Sequence, residues 1–161
     1  MSTDQLKLPP APTRVLKKFR VIYGSVRQHY RDIEQSCGVS GSQLWILQEI
    51  SQTPGIGVSE LAERLSIHQS TCSQLVEKLN MRGLIQKERS RMDQRRVGLL
   101  LSHTAQQLLA RAPGPASGLL PEALAALSPE QLQQLDAALS GVVEQLQLRD
   151  ERFADKPLAD L

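Results

Sequence analysis

The residues best suited to chemistry in this sequence stand between positions 68 and 96. Residues 78–96 carry seven Lys or Arg side chains against two acids, Glu88 and Asp93. The whole chain has a formal net charge of only +2, so this local excess is its most asymmetric feature. Such a concentration suits contact with phosphate. Just ahead stand Gln69, Ser70, Ser73 and Gln74, followed by Lys78. A glutamine can form paired hydrogen bonds with the edge of an adenine, and a serine hydroxyl can serve a base or a phosphate. The chemistry on offer is recognition of a polyanion with readable edges, not bond making. No Ser/His/Asp set and no carboxylate pair stands in a motif context, so no enzyme is expected. His29, His68 and His103 are too scattered for a metal site, and no cofactor is expected.

Positioning these side chains calls for a particular order of elements. Residues 69–82 have helical spacing, with Cys72, Leu75, Val76 and Leu79 facing inward. Gly83 ends the helix, as a residue tolerating positive φ should. A strand starts at Leu84 and Ile85, a charged loop spans 89–96, and Val97, Leu99 and Leu101 alternate as a return strand. Upstream, residues 59–65 form a short helix burying Leu61, Ala62 and Leu65, and Ser66-Ile67 turns the chain. His68 falls at the N-cap of the second helix, where Ser or Asp is commoner. A brace helix, a reader helix and a hairpin define a winged helix-turn-helix, in which the second helix enters the major groove. A solvated surface helix and hairpin would carry the same charges; the order of elements weighs against that reading.

The remaining chain frames this unit. Residues 1–100 hold 15 basic and 9 acidic side chains and residues 101–161 hold 4 and 8, which suggests different jobs for the two parts. Apolar content is 40% but aromatics only 3%, so the core must be aliphatic. Residues 1–13, with three prolines, read as a flexible arm. Leu16, Phe19, Tyr23, Val26, Tyr30, Ile33 and Cys37 mark one face of a long helix over 14–37. Ser40 with Gln43, and Ser128 with Gln131, are capping boxes. Helices are expected over 103–111 and 119–127, separated by the breaker Pro113-Gly114-Pro115. Leu132, Leu135, Leu139, Val142 and Leu146 repeat at threes and fours, two heptads of a docking stripe. Residues 149–161 are charged and expected to fray. The fold class is therefore mainly α with a small β wing. Its parts are a DNA-binding region at 38–102, a dimerisation helix at 14–37, C-terminal dimerisation helices at 103–148 and a tail at 149–161. Two cysteines without metal-type spacing, no visible signal peptide and no membrane-length apolar run lead to the expectation of a reduced, cytoplasmic protein.

The run GLIQKERSRMDQRRVGLLLS, with ELAERLSIHQSTCSQLVEKL before it, resembles the MarR family of bacterial transcription regulators. Asp93-Gln94-Arg95, the alternating Val97, Leu99 and Leu101, and Ser102 opening a helix fit the family's wing, and Gly38, Ser40 and Gln43 fit its upstream motif. The likeness covers roughly residues 14–147. It implies that Arg95 enters the minor groove, that Asp93 orients it, and that Arg89, Arg91 and Arg96 contact the backbone. It also implies a homodimer built from the first helix and the last two, probing a pseudo-palindromic operator on double-stranded DNA, most often as a repressor. Relatives often bind small aromatic acids; here Tyr30 and Trp45 would line the pocket, with Arg27 or His29 meeting the carboxylate. Alternatives are redox sensing through Cys37 or Cys72, and a winged-helix module that binds protein or RNA. The sequence departs from the family at Ala105, where glycine is frequent, and at Pro113-Gly114-Pro115, which interrupts a helix that is often continuous.

Overall fold

The computed structural model describes residues 10–161. Most of the expected arm, residues 1–9, lies outside the described residues; its last part does not behave as an arm. Helix α1 spans Ala11–Cys37, with Pro10 as its N-cap and a proline in the first turn, where the missing N–H costs nothing. It stops at Gly38, whose φ of 67° lets its amide bond back to the Glu34 carbonyl.

Six more helices and a hairpin follow: α2 Gly41–Gln52, α3 Val58–Leu65, α4 Gln69–Met81, β1 Ile85–Arg89, β2 Val97–Leu101, α5 His103–Arg111, α6 Leu119–Ala125 and α7 Pro129–Glu144. Local chemistry starts several of them. Ser40 Oγ accepts from the Gln43 amide at 3.2 Å while Gln43 Oε1 accepts from the Ser40 amide at 3.0 Å. Ser128 and Gln131 repeat this pairing at the head of α7, and Ser102 Oγ accepts from the Ala105 amide. Each such cap stabilises its helix by about 1 kcal/mol.

The core is aliphatic. Ile33 of α1, Leu44, Leu47 and Ile50 of α2, Leu61 of α3, Val76 and Leu79 of α4, Ile85 of β1 and Leu99 of β2 are sealed from solvent, and Ala105 and Leu108 of α5 close the cluster. Two elements stay largely outside it. The first half of α1 exposes Val15, Leu16, Phe19, Val21, Ile22 and Tyr23. Helix α7 has no buried residue, and Leu132, Leu139, Val142 and Val143 are exposed along it.

The hairpin is antiparallel, with Ile85 opposite Leu101 and Arg89 opposite Val97. Of the three alternating apolar residues, only Leu99 is fully buried; Val97 is exposed and Leu101 half-buried. Leu99 also bonds the loop ahead of α3: its amide donates to the Ile56 carbonyl at 2.9 Å and its carbonyl accepts from the Gly55 amide at 2.8 Å. A Cβ at Gly98 would stand 2.8 Å from the Gly55 carbonyl oxygen and 3.0 Å from its Cα. Glycine lets the wing lie flat against that loop.

Residues beyond Arg149, expected to fray, instead fold back as two short 3-10 turns, Glu151–Asp155 and Leu158–Asp160. Asp150 caps the Arg152 amide at 3.0 Å and grips its guanidinium at 2.7 Å. The Asp155 carbonyl accepts the His68 N–H at 3.2 Å, and Asp160 accepts from Ser42 Oγ at 3.0 Å. These last two partners lie far away in sequence, which is why a charged composition alone suggested disorder.

Candidate nucleic-acid interface

Helix α4 splits cleanly. Cys72, Leu75, Val76 and Leu79 are buried, while Gln69, Ser70, Ser73, Gln74 and Lys78 are exposed. Anchoring one face in the aliphatic core leaves the polar face free for a ligand. The turn before it rests on Ser66, a non-glycine residue at φ 53°, and on the Ile67 amide donating to the Ala62 carbonyl at 3.1 Å. His68 is the N-cap but makes no side-chain cap. Its Nε2 lies 3.3 Å from the Asp155 carboxylate, a partner invisible to sequence reasoning.

The wing loop is built from its own polar atoms. Ser90 Oγ accepts from the Met92 and Asp93 amides at 3.2 and 3.3 Å, and the Ser90 amide donates to the Arg96 carbonyl at 2.9 Å. Asp93 Oδ1 accepts from the Arg95 amide at 3.0 Å. Asp93 therefore shapes the backbone beneath Arg95 rather than gripping its guanidinium; its other oxygen stands 3.9 Å from Arg96 Nε. Ser90 is a structural residue that sequence reasoning missed, although a serine opening a tight loop is the available signal.

The cations sort into two groups. Lys87 pairs with Glu77 at 2.6 Å and holds that carboxyl below its usual range. Arg82 donates to the Gly38 carbonyl at 2.8 Å. Arg64 joins Glu60 at 2.6 Å, Glu49 at 3.4 Å and Thr53 at 2.8 Å. By contrast Lys78, Arg89, Arg91 and Arg95 have no ion-pair partner among the described residues. Arg89, Arg91 and Arg96 line an open trough of about 1040 Å³ between the wing and the start of α3. Among the described residues no group of three or more His, Cys, Asp or Glu could hold a metal ion, and no helix is long and apolar enough to cross a membrane.

The expected ligand-pocket residues do not all converge. Tyr30 and Trp45 share a cavity of about 190 Å³ with Ser42, Leu65, Ile67 and Pro121, and residues 154 and 156–159 line its remaining wall. Arg27 lies elsewhere: it donates to Tyr23 Oη at 3.3 Å, its guanidinium 5.5 Å from that ring's centroid. His29 is buried, with Nε2 donating to the Pro115 carbonyl at 3.0 Å. Both cysteines are buried free thiols. Burial raises the pKa of each, that of Cys72 to about 11.

A brace helix anchored by Leu61, Ala62 and Leu65, a reader helix with a bare polar face and a basic hairpin pinned beside them define the winged helix-turn-helix class. Residues 38–96 match the model described as the MarR family. Members of that family are transcription regulators and not enzymes. A protein of Thauera aromatica whose name assigns it to regulation of the hcr operon is 34% identical over 85 residues, 53% of this chain and 51% of the relative. The chain thus spans about half the length of that curated relative. Among solved structures, a MepR-like protein complexed with pseudoligands superposes with TM-score 0.57 at 14% identity, over 81% of this chain and 92% of the other. The S. aureus MepR–DNA complex does so with TM-score 0.54 at 23% identity, over 81% and 94%. BldR of Sulfolobus solfataricus gives 0.54 at 23%, over 84% and 96%. At such identities the likeness speaks for the fold.

Proposed function

We propose that this chain is a DNA-binding transcription regulator acting as a homodimer on a pseudo-palindromic operator, in the manner of a repressor. The observation that carries the reading is the cation pattern. Lys87, Arg82 and Arg64 are engaged internally, whereas Lys78 on the polar face of α4 and Arg89, Arg91 and Arg95 on the wing have no ion-pair partner among the described residues. Like charges crowded into one short wing repel each other, so their persistence there suits an external polyanion. Gln69, Ser70, Ser73 and Gln74 supply the base-edge chemistry; Arg89, Arg91 and Arg96 supply backbone contacts, and Asp93 sets the loop that presents Arg95. The exposed apolar faces of α1 and α7 support dimerisation through residues 14–37 and 103–148. A small effector, such as an aromatic acid, is the occupant suited to the cavity between Tyr30 and Trp45, with the winged unit at 38–102 as its responder.

Salt dependence tests the reading. Lys78, Arg89, Arg91 and Arg95, doubled by two-fold symmetry, set a slope of log affinity against log salt of up to about −7. Replacing Arg91 and Arg95 together by alanine should roughly halve that slope, to about −4, and weaken binding to operator and scrambled duplex alike. An unchanged slope would place the interface elsewhere.

A further inference from the structure

The segment after α7 folds back onto the start of α4 and the first turn of α2. Its 3-10 turns seat the Asp155 carbonyl on the amide of His68, the residue that starts the reader helix, at 3.2 Å. The Asp155 carboxylate lies 3.3 Å from the His68 ring. Further along, Asp160 binds Ser42 Oγ at 3.0 Å in the first turn of α2. Residues 154 and 156–159 wall the cavity of Tyr30 and Trp45.

The charges of this segment are disposed unevenly. Arg149 faces Glu151 at 3.7 Å, Arg152 is gripped by Asp150 at 2.7 Å, and the Lys156 ammonium sits 5.1 Å from the Phe153 ring centroid. Its cations are thus engaged within the segment, and Asp155 is the carboxylate turned toward α4. A helix start favours negative charge and is a place where phosphate docks. Asp155 puts a carboxylate and a carbonyl there instead. The hold is light: Phe153 and Leu158 remain exposed, and His68 and Asp155 are more than half exposed. A contact of that kind can be displaced.

We propose that residues 150–160 form an autoinhibitory strap, which occupies the start of α4 through Asp155 and must lift for duplex DNA to engage. The strap rests on the DNA-binding reading above. It also makes the Tyr30–Trp45 cavity and the reader helix respond to one segment, so that whatever displaces the strap opens both.

The experiment compares the full chain, a deletion of residues 149–161 and the double variant Asp155→Asn with Asp160→Asn. The probe is a mixed-sequence duplex of about three helical turns, with circular dichroism verifying folding of each protein. The deletion should bind roughly ten-fold tighter at low salt, the scale of a recovered phosphate contact in each protomer, with the double variant in between. Trp45 is the chain's one tryptophan and lines the strap's cavity, so its emission should shift to the red in the deletion. Titrating duplex into the full chain should produce the same shift. Equal affinity of all three proteins overturns the strap, as does Trp45 emission that ignores the deletion. Absence of binding by every form overturns the DNA reading itself, an outcome distinct from equal affinities. If the deletion unfolds, the double variant decides alone: tighter binding upholds the strap and unchanged binding refutes it.

Discussion

Gly98→Ala is the sharpest probe of how the wing is held. The added Cβ would sit 2.8 Å from the Gly55 carbonyl oxygen and 3.0 Å from Gly55 Cα. Both are backbone atoms, so no flexible side chain can yield. Either the hairpin or the loop must move, and overpacking of this kind costs about 1–3 kcal/mol. The move also strains the two bonds that Leu99 makes with Gly55 and Ile56, each contributing about 1 kcal/mol. A destabilisation of about 2–4 kcal/mol follows, a large part of the 5–15 kcal/mol typical of a domain. In urea the midpoint should fall by roughly 1–2 M at an ordinary slope. Gly57→Ser is the control in the same loop. Its nearest neighbour, the Val97 carbonyl, is at an ordinary 3.9 Å, and serine caps a helix at least as well as the glycine now at the N-cap of α3. That variant should melt like the parent or slightly above it. If Gly98→Ala melts within about 0.5 kcal/mol of the parent, the wing is not pinned at Leu99 and the placement of Arg91 and Arg95 loses its support.

Two further outcomes are expected. Replacing Leu135 and Leu139 by glutamate on the bare face of α7 should yield monomers with weakened duplex affinity, and a variant still dimeric in sedimentation would refute dimerisation through that face. With its thiol pKa at about 11, Cys72 should be about one part in a thousand thiolate at pH 8, so a thiol reagent should label the folded chain far more slowly than the unfolded one; peroxide that releases DNA from the parent but not from Cys37→Ser with Cys72→Ser would establish the redox alternative.

What could be read in the sequence was local or periodic. Ser40 and Gln43 meet across three residues, so their reciprocal bonds follow from type and spacing alone, and the same holds for Ser128 and Gln131. Helix α4 and its inward face were legible because one stripe of a 3.6-residue period is apolar. The roles that depend on distant partners were not. Arg82 looks like any cation at a helix end until Gly38, 44 residues away, presents its carbonyl. Arg27, expected to meet a carboxylate, instead gives its guanidinium to Tyr23, one turn earlier on α1. The tail failed for the same reason: Asp155 and Asp160 are ordinary surface acids until His68 and Ser42 are brought beneath them by the packing of α2 against α4.

The distinction between local and distant partners bears on the interface too. Counted in sequence, the positive charges of residues 78–96 form a single block and invite a single role. In the structure Glu77 and the end of α1 claim Lys87 and Arg82, which tie the hairpin to α4 and α4 to the end of α1. That fastening is what gives the other cations their value. An arginine on a loop that swings freely gives up entropy on each contact, whereas Arg91 and Arg95 stand on a loop fixed by Ser90, Asp93 and the Leu99 bridge. Cations that brace and cations that reach are therefore interdependent. On the proposed DNA-binding reading, removing a bracing residue should weaken binding without shallowing the salt slope as much as the loss of Arg91 and Arg95 does, because the proposed phosphate contacts would remain available but less well held.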